Sequence, residues 1–578
     1  MKVKISLILF LALLLAAVLV SRTSRSMQYT NYWQAAPEQF YAGDVPVVST
    51  LDAYKWVRIA DEYRNGSYDS HSTDPLMYYP DGHPAESPVP LLSKLLAWCA
   101  GLFEGNLFEA GLWLIPWLAS QFIIPFAVYF YRMGYGAAGI LGAVLGSFAV
   151  FYYMRTGPGR IDTDALNLFF PFLTALMILL ATEKGIHKRS YLFAVLAGLS
   201  QLLFYWWYQH AAFILIFFIA FAATIALAKL KPHEGESPFG AKEIAITLGL
   251  YILFANPYWF ALSIGNSLDL LKAYFFEPTT FSNGFPNIYQ TVSEARGIPL
   301  RELVPGLFIS PVIIVFALIG LGIMCVRNLR KMLPILPVFA LGLLVLVGSI
   351  RFSMFLIPFL GLGLGYLINF AMLKLPAKKD LYKELVAYGF VILFVIAAWK
   401  VPFKGFVFFA PPDISIEPIV YDTFNTIKEE LPEGSAIYTW WDYGLAIEAQ
   451  TGFATFHDGM TQNTLKTWLI ARSFTKDEHT LARYARYIAN EGMGQINEML
   501  SSGIKAPEIV SMIENYERPL QKDNVYISFT PDMIYKYGAI NYIGSWNIID
   551  GAAPRNVTGV DAFSCTPSTD KVLDCSGI

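Results

Sequence analysis

Long apolar segments recur through most of this 578-residue chain, and they constrain its fold more than any other feature. A helix needs about 20 mainly apolar residues to cross the hydrocarbon core of a membrane. An apolar run from Ile5 to Val20 follows two lysines and predicts a first membrane helix with its N-terminus inside. Ten further candidate spans lie at about 107–131, 136–154, 166–183, 190–208, 209–229, 241–263, 306–325, 333–350, 352–374 and 384–402. Together they predict 11 spans, or 13 if the region 241–277 contains a further pair.

The composition and the placement of the basic residues agree with a polytopic membrane protein. Hydrophobic residues make up 55% of the chain and charged residues only 15%, whereas soluble domains are about one quarter charged. The net charge of -3 gives no indication of a nucleic-acid partner. Lysines and arginines cluster in alternate loops, and such loops stay on the inner side of a membrane. The remaining loops and everything after residue 403 are therefore predicted to lie outside.

This topology predicts two consecutive domains. Residues 1–403 form a transmembrane domain with long outer loops at about 21–106 and 264–305, and residues 404–578 form a soluble outer domain. The second domain mixes helix-like runs such as TLKTWLIARSF with short strand-like runs such as AIYTWW, which predicts a mixed α/β fold. Its polar tail contains Cys565 and Cys575, and the sequence leaves open whether they form a disulfide.

Acidic residues gather in the predicted outer loops. Asp52 precedes a helix-like run, Asp162 and Asp164 form an Asp-x-Asp pair just before a span, and Glu294 lies in a long loop. Aspartates in such places commonly cap helices, and a lone glutamate in a loop is commonly a surface residue. An Asp-x-Asp pair beside hydrocarbon is nevertheless costly unless a metal cation or an arginine balances its charge. Carboxylate oxygens suit hard ions, so Mg2+ or Mn2+ is the ion that this pattern favours.

Two arginines are predicted near the same outer surface. Arg155 precedes the Asp-x-Asp pair, and Arg351 opens a membrane span. An arginine at a membrane edge can simply extend its side chain toward water. Its planar guanidinium can equally bind a phosphate, and the sequence leaves both interpretations open.

The most specific motif lies in the predicted outer domain. Trp440, Trp441 and Asp442 are followed directly by Tyr-Gly, and an HDG segment begins at His457. A buried structural pair of tryptophans is one explanation for this motif. A binding pocket is the other, because indole N–H groups donate hydrogen bonds while the rings exclude water.

On the Trp-Trp-Asp-Tyr-Gly motif and the acidic motifs, the chain resembles the catalytic subunit of the N-linked oligosaccharyltransferases. It is most similar to the single-subunit bacterial and archaeal enzymes, and the resemblance extends over nearly the whole chain. It implies that an oligosaccharide leaves a polyprenyl phosphate or pyrophosphate and joins the asparagine of an Asn-X-Ser/Thr sequence in an acceptor protein. The resemblance also implies a metal-dependent enzyme that works as a single subunit, with its active site on the extracytoplasmic side of a cell (inner) membrane.

The resemblance further implies roles for individual residues. The Mg2+ or Mn2+ ion and the reacting amide are expected at a set of carboxylates: Asp52, Asp162, Asp164 and Glu294. The donor's phosphate groups are expected at three basic residues: Arg351, Arg155 and His457. The acceptor's Ser/Thr hydroxyl is expected in a pocket formed by Trp440, Trp441, Asp442, Met533, Lys536 and Ile540. The last three residues mix two patterns known in the family, Asp-x-x-Lys and Met-x-x-Ile, so the sequence leaves open which of them contacts the acceptor.

Two other classes of protein share part of this pattern. Another glycosyltransferase that uses polyprenyl-phosphate sugars, such as a protein O-mannosyltransferase or a lipid A aminoarabinose transferase, explains the spans and outer acids but not the Trp-Trp-Asp motif. A transporter or receptor with an outer domain predicts ionisable residues inside the spans. Most acidic residues here lie in loops or at span ends, which favours the enzyme.

Overall fold

The computed structural model describes residues 2–230, 240–275, 284–286, 288, 311–346, 349–373, 380–398, 412–521, 524–552, 566–569 and 572–574. The chain divides into two compact units. The helical unit comprises residues 1–50, 90–273 and 294–415, and the α/β unit comprises residues 51–89, 274–293 and 416–578. Glu294, Cys565 and Cys575, which the sequence singles out, lie outside the described residues.

Helices form almost all of the described part of the helical unit. The α-helices are Lys2–Gln28, Pro37–Phe40, Leu91–Cys99, Leu107–Ser120, Ile123–Arg132, Gly136–Ser147, Val150–Met154, Phe169–Thr182, Lys188–Tyr208, Ala212–Leu230, Ala241–Ala255, Pro257–Phe275, Pro311–Arg327, Leu329–Met332, Leu336–Leu343, Ser353–Leu373 and Asp380–Ala398. Short turns of 3-10 or π helix are Tyr29–Trp33, Ala100–Leu102, Thr163–Leu166, Leu333–Ile335, Leu344–Leu346 and Ile350–Phe352. One small hairpin pairs Tyr41–Ala42 with Val45–Pro46.

Within the described residues, 7 helical segments are long and apolar enough to cross a membrane. They are Ile5–Trp33, Leu107–Arg132, Thr163–Thr182, Lys188–Tyr208, Ala212–Leu230, Leu329–Leu346 and Ile350–Ala371. Shorter apolar helices are Leu91–Leu102, Gly136–Ser147 and Pro311–Arg327. These segments coincide with predicted spans to within a few residues at most positions and are compatible with 11 to 13 spans in the whole chain.

The predicted span at 241–263 is not straight. Helices Ala241–Ala255 and Pro257–Gly265 meet at an angle of 88°. Pro257 disfavours helical backbone at the residue before it, and Asn256 has a non-helical backbone with a φ of 76°. The segment is therefore either one broken span or a re-entrant loop.

Small residues let two helices of this unit approach closely. A Cβ placed on Gly142 would lie 2.6 Å from the carbonyl oxygen of Pro358, and one on Gly365 would lie 2.5 Å from Cα of Ala138. Close backbone contact of this kind is a main source of helix association in membranes, where no hydrophobic effect drives it. Helices Gly136–Ser147 and Ser353–Leu373 thus pack together at the centre of the helical unit.

The α/β unit contains both helices and short strands. Its α-helices are Asp52–Asn65, Pro418–Glu430, Gly444–Thr451, Thr464–Phe474, Glu478–Ser501, Ala506–Glu514 and Asp532–Gly544, with a 3-10 turn at Trp441–Tyr443. Its strands are Thr73–Asp74, His83–Pro84, Ala436–Tyr438, Ala454–Thr455, Val525–Ile527, Thr566–Thr569 and Val572–Asp574.

Three of these strands form a parallel sheet around which the unit is built. The central strand Ala436–Tyr438 pairs with a first edge strand, Ala454–Thr455, and with a second edge strand, Val525–Ile527. Buried aromatic residues such as Tyr438 and Trp468 fill the core beside the sheet. The predicted fold class is confirmed: a polytopic helical membrane protein with a mixed α/β C-terminal part.

The structure divides the chain differently from the predicted boundary. Residues 51–89 and 274–293 belong to the α/β unit although they precede residue 404. Asp52 therefore lies in the same compact unit as the Trp-Trp-Asp motif. The functional division into domains 1–403 and 404–578 stays a prediction.

Candidate active site

The three parallel strands end at the same edge of their sheet, and a predicted site segment follows each of them. Trp440 follows the central strand, His457 follows the first edge strand, and Met533 follows the second edge strand. Ligands of open parallel sheets bind outside the carboxyl ends of the strands. The sheet topology thus brings together three segments that are distant in the sequence.

Close packing links the Trp-Trp-Asp-Tyr-Gly motif to the HDG segment and to Asp52. A Cβ on Gly444, the last residue of the motif, would lie 2.5 Å from the carbonyl oxygen of His457 and 2.8 Å from Cα of Asp458. Only glycine is compatible with that distance. A Cβ on the neighbouring Gly459 would lie 3.8 Å from Oδ1 of Asp52. Asp52 therefore lies directly beside the segment against which the motif packs.

Asp442 forms the ionic centre of this edge. Its side chain is 5% exposed, and Lys536 forms an ion pair with its Oδ1. Lys536 Nζ also lies 3.3 Å from Oδ2 of Asp532 and 5.7 Å from the centre of the Trp441 ring. Oδ2 of Asp442 is buried, and no described residue forms a hydrogen bond with it. One oxygen of a buried carboxylate is thus available to accept a hydrogen bond from a bound molecule.

The protonation state of Asp442 depends on this environment. Burial raises the pKa of Asp442 to about 6, and the ammonium group of Lys536 opposes that rise. Above this pH the carboxylate is ionised and acts only as a hydrogen-bond acceptor. Asp442 can therefore accept a charge-assisted hydrogen bond from a hydroxyl at neutral pH, and protonation in mild acid makes it a weaker acceptor.

Trp440 and His457, which both lie at this edge of the sheet, pack against each other. Their rings lie 5.6 Å apart at an angle of 77°, and both side chains are buried. Nε2 of His457 lies 3.0 Å from Oγ1 of Thr467. Burial, reinforced by the charge of Lys466, lowers the pKa of His457 well below its usual range. The imidazole is therefore neutral, and its predicted contact with the donor's phosphate stays a prediction.

The helix Asp532–Gly544 contains the mixed motif of the tail. Met533 and Ile540 are buried, whereas Lys536 is the member whose side chain reaches Asp442. Asp532 is a residue that the sequence analysis missed. Its signal is the four-residue spacing from Lys536, since side chains at this spacing meet on one face of a helix.

A second cluster of predicted residues lies in the helical unit around Asp164. This aspartate is completely buried. Arg155 forms an ion pair with its Oδ2, while Nη2 of Arg351 lies 2.8 Å and Nδ2 of Asn167 lies 3.2 Å from its Oδ1. Asp164 thus supplies the compensating charge that lets two arginines approach each other.

The sequence leaves open whether Asp162 and Asp52 cap helices, and the structure answers differently for the two residues. Asp162 is the N-cap of the turn Thr163–Leu166, and its Oδ1 accepts a hydrogen bond of 2.6 Å from the Thr163 amide. Asp52 is not a cap residue, because the cap position is Leu51 and Asp52 is the first residue inside its helix. A carboxylate in the first turn of a helix is still favourably placed, because it lies near the positive end of the helix dipole.

The expected metal ligands are only partly described. Within the described ranges, no group of three or more His, Cys, Asp or Glu side chains is arranged to hold a metal ion. Oδ2 of Asp162 approaches Arg155 no closer than 3.9 Å, so its carboxylate is not saturated by ion pairs. Carboxylate oxygens are the donors that Mg2+ and Mn2+ prefer, so the donor chemistry of these residues is compatible with such an ion.

Comparison with known families agrees with the motif and the sheet-edge site. Residues 27–400 match the family described as "Oligosaccharyl transferase STT3, N-terminal", and residues 433–550 match the family described as "STT3/PglB/AglB core domain". The chain belongs to this family. The second match covers the whole parallel sheet and all three segments at its edge, and the predicted family resemblance is confirmed.

Individual members of the STT3/PglB/AglB family are similar to the chain over most of its length. An undecaprenyl-diphosphooligosaccharide–protein glycotransferase of Campylobacter jejuni is 23% identical over 533 residues, which covers 85% of this chain and 71% of that protein. A dolichyl-phosphooligosaccharide–protein glycotransferase of Methanococcus voltae is 20% identical over 570 residues, which covers 77% of this chain and 62% of that protein.

Solved structures share the fold. The oligosaccharyltransferase AglB of Archaeoglobus fulgidus, in complex with an inhibitory peptide and a dolichol-phosphate, superposes with a TM-score of 0.63 at 16% identity and covers 94% of this chain and 72% of its own. The enzyme of the same organism tethered to an acceptor peptide that contains the NVT sequon gives a TM-score of 0.62 at 16% identity, with 94% and 71% covered.

Proposed function

We propose that this chain transfers an oligosaccharide from a polyprenyl phosphate or pyrophosphate to the asparagine of Asn-X-Ser/Thr sequences, as a single catalytic subunit. The observation that carries the proposal is the available oxygen of Asp442, which is buried at the carboxyl edge of the sheet. A pocket that reads a hydroxyl needs such an acceptor. The names of the bacterial and archaeal relatives support the same reaction. The active site would face the extracytoplasmic side of a cell (inner) membrane.

The reacting nitrogen explains the need for carboxylates. The lone pair of an amide nitrogen is delocalised, and full loss of that conjugation costs about 18–20 kcal/mol. Hydrogen bonds to charged groups contribute roughly 1.5–3 kcal/mol each, so two carboxylates, Asp52 and Glu294, would supply roughly 3–6 kcal/mol. We therefore expect partial loss of conjugation, with the remaining rate enhancement coming from positioning of the two substrates.

The arginines of the helical unit would bind the phosphate of the lipid-linked donor. The nitrogen attacks the first sugar carbon, the bond from that carbon to phosphate oxygen breaks, and the leaving phosphate takes the electron pair. One of the two amide protons passes to a carboxylate at the amide, Asp52 or Glu294. Arg351 and Arg155 would bind this developing charge, because guanidinium groups match phosphate geometry. The shared ion pair with Asp164 would hold both groups in place.

A divalent ion would be held by the carboxylates of Asp52, Asp162, Asp164 and Glu294. Bound there, it would supply Lewis-acid stabilisation of the leaving phosphate. A structure of the Archaeoglobus fulgidus enzyme in complex with zinc and sulfate supports a metal in a relative. The carboxylates of this chain would also orient the acceptor amide, and that role is independent of which ion is bound.

The proposal is tested by direct transfer. Purified protein is incubated with a fluorescent Asn-X-Thr peptide, a polyprenyl-linked glycan and Mn2+. The expected product is the peptide with the glycan mass on its asparagine, located by tandem mass spectrometry. A Gln-X-Thr peptide is the control and should remain unmodified. A glycan on the threonine would indicate the O-glycosyltransferase alternative instead, and no product with any lipid donor would contradict the proposal.

Removal of divalent metal should abolish transfer. An excess of chelator is added to the assay, then Mg2+ or Mn2+ is restored, and initial rates are compared. The expected result is loss of activity and its recovery with either ion, because the carboxylate oxygens favour hard cations. Full activity in excess chelator would show that the carboxylates act without an ion.

The change Arg351→Lys should weaken binding of the lipid-linked donor although it keeps the positive charge. An ammonium group lacks the planar fork that binds phosphate through two parallel hydrogen bonds. We expect a higher apparent KM for the donor, measured by varying the lipid-linked glycan at saturating peptide. Unchanged donor kinetics would leave only the interpretation that Arg351 extends to the membrane surface.

The affinity for Asn-X-Thr should fall as the pH falls through about 6. The folded pKa of Asp442 is raised to about 6, so acid converts the hydrogen-bond acceptor into its protonated form. Because Lys536 lowers the pKa of Asp442, Lys536→Met should move this loss to higher pH. Fluorescence anisotropy titrations of peptide from pH 5 to 8 measure both effects. A binding curve that Lys536→Met leaves in place would exclude Asp442 as the titrating group.

A further inference from the structure

The helix that begins with Asp52 contains two buried cations. Lys55 and Arg58 are 6% and 8% exposed, although a helix in a loop region normally turns its charges to water. Lys55 forms an ion pair with Glu86, and Arg58 forms one with Asp74. Buried charges are costly unless they are paired. These pairs therefore fix the orientation of the Asp52 helix against the segment 66–89.

Arg58 also faces the helix that follows the Trp-Trp-Asp-Tyr-Gly motif. Its Nη2 lies 3.9 Å from Oε2 of Glu448, which is located on the helix Gly444–Thr451. Glu448 is completely buried, and its Oε1 accepts a hydrogen bond from Oγ1 of Thr455 on the first edge strand. The side chain of Arg58 therefore extends from the Asp52 helix to the helix that follows Asp442.

The segment 66–89 also forms hydrogen bonds with the first edge strand and with the helix Glu478–Ser501. The Thr455 amide donates to the carbonyl of Leu76 at 2.8 Å, and the Tyr79 amide donates to the carbonyl of Thr455 at 3.0 Å. The carboxylate of Asp81 accepts a hydrogen bond of 2.7 Å from the amide of Met493. Asp74 and Glu448, the two partners of Arg58, belong to the two segments that bond to Thr455 of the first edge strand. These two segments, 66–89 and Gly444–Thr451, together with the strand are the framework that Arg58 contacts.

This framework has a geometric consequence for the two carboxylates that would contact the acceptor. Asp52 and Arg58 are on one helix, about 9 Å apart along its axis, and Asp442 and Glu448 are on one continuous helical segment. Backbone hydrogen bonds hold each helix together, so the approach of Arg58 to within 3.9 Å of Glu448 restrains the position of Asp52 relative to Asp442. The acceptor asparagine and hydroxyl are two residues apart and would have to reach both carboxylates at once.

We propose that Arg58 is a positioning residue that sets the separation between Asp52 and Asp442, with Glu448 and Asp74 as its partners. This inference rests on the proposed function, in which Asp52 binds the amide and Asp442 binds the hydroxyl. A mutation away from the chemistry that displaces a reacting group by about 1 Å can cost about 10²-fold in rate. The same displacement should reduce the factor by which the acceptor hydroxyl raises kcat/KM.

The experiment compares Arg58→Gln and Arg58→Lys with Arg64→Gln, an exposed arginine of the same helix. Values of kcat/KM for Asn-X-Thr and Asn-X-Val peptides are measured by competitive transfer. For Arg58→Gln we expect about 10²-fold lower kcat/KM for Asn-X-Thr, with a much smaller loss for Asn-X-Val, so the Thr/Val ratio falls. Arg58→Lys should be intermediate because it keeps the charge but not the two-sided contact, and Arg64→Gln should keep the wild-type ratio.

The ratio separates positioning from a general loss of structure. If the Arg58→Gln variant is folded and its kcat/KM is lowered by the same factor for both peptides, Arg58 is only structural and the inference is wrong. If Arg58→Gln does not fold, Arg58→Lys and Asp74→Asn, which removes the charge that pairs with Arg58, decide, and an unchanged ratio in both overturns the inference. Failure of the proposed function would be seen in the wild-type protein. In that case the wild type would show no transfer, or no preference for Asn-X-Thr over Asn-X-Val.

Discussion

An acceptor peptide in which valine replaces the threonine of Asn-X-Thr is expected to have a kcat/KM about 10⁴-fold lower. Valine has the shape of threonine but lacks the hydroxyl. A site built to bond a hydroxyl rejects the analogue without it, because the polar groups of the site then stay unpaired. In this chain the group left unpaired is the buried Oδ2 of Asp442.

The control for that prediction is serine. Serine keeps the hydroxyl and lacks one methyl group, which is worth about 1–3 kcal/mol at most. Competitive transfer from one donor to mixed Thr, Ser and Val peptides, followed by mass spectrometry, gives all three relative kcat/KM values. A valine peptide that reacts as well as the serine peptide would mean that the pocket reads shape and not the hydroxyl.

The change Asp52→Asn is expected to lower kcat by about 10²–10³-fold, the range typical of losing one preorganised polar contact. Peptide affinity should fall much less, because the charge of Asp52 matters most in the transition state. Glu294→Gln should behave in the same way. The matched control is Asp61→Asn, on an exposed part of the same helix, which should keep full activity.

Single-turnover rates and peptide titrations measure the two parts of this prediction separately. Loss of kcat with retained peptide binding is the expected pattern for Asp52→Asn. A folded variant with wild-type kcat would exclude Asp52 from contact with the reacting amide. Weaker binding with unchanged kcat would instead assign Asp52 to recognition alone.

Apolar periodicity predicts the helices of the membrane part well, because each span must satisfy its own backbone hydrogen bonds. The predicted segment 190–208, for example, corresponds to the helix Lys188–Tyr208. The break at Asn256–Pro257 follows from a single proline, yet hydropathy averages over it and predicts one continuous span. Local sequence therefore predicts where helices occur better than it predicts how they bend.

The candidate site is less accessible to sequence analysis because its contacts are long-range. The Trp-Trp-Asp motif is recognisable by itself, but the partner of Asp442 is Lys536, which belongs to another helix that follows a different strand. Only the order of the parallel strands brings these two side chains together. Asp52 likewise precedes the predicted boundary between domains, and its helix joins the α/β unit through long-range contacts such as the one between Arg58 and Glu448.

The measurement that tests the central assignment most directly is competition between Asn-X-Thr and Asn-X-Val peptides with wild-type protein and Asp442→Ala. Circular dichroism establishes that the variant is folded. If Asp442 binds the acceptor hydroxyl, the variant loses most of its activity toward Asn-X-Thr while its already low activity toward Asn-X-Val barely changes, so the preference for threonine collapses. If the folded variant lowers transfer to both peptides by the same factor, Asp442 is structural and the assignment of the Trp-Trp-Asp motif to hydroxyl recognition is wrong.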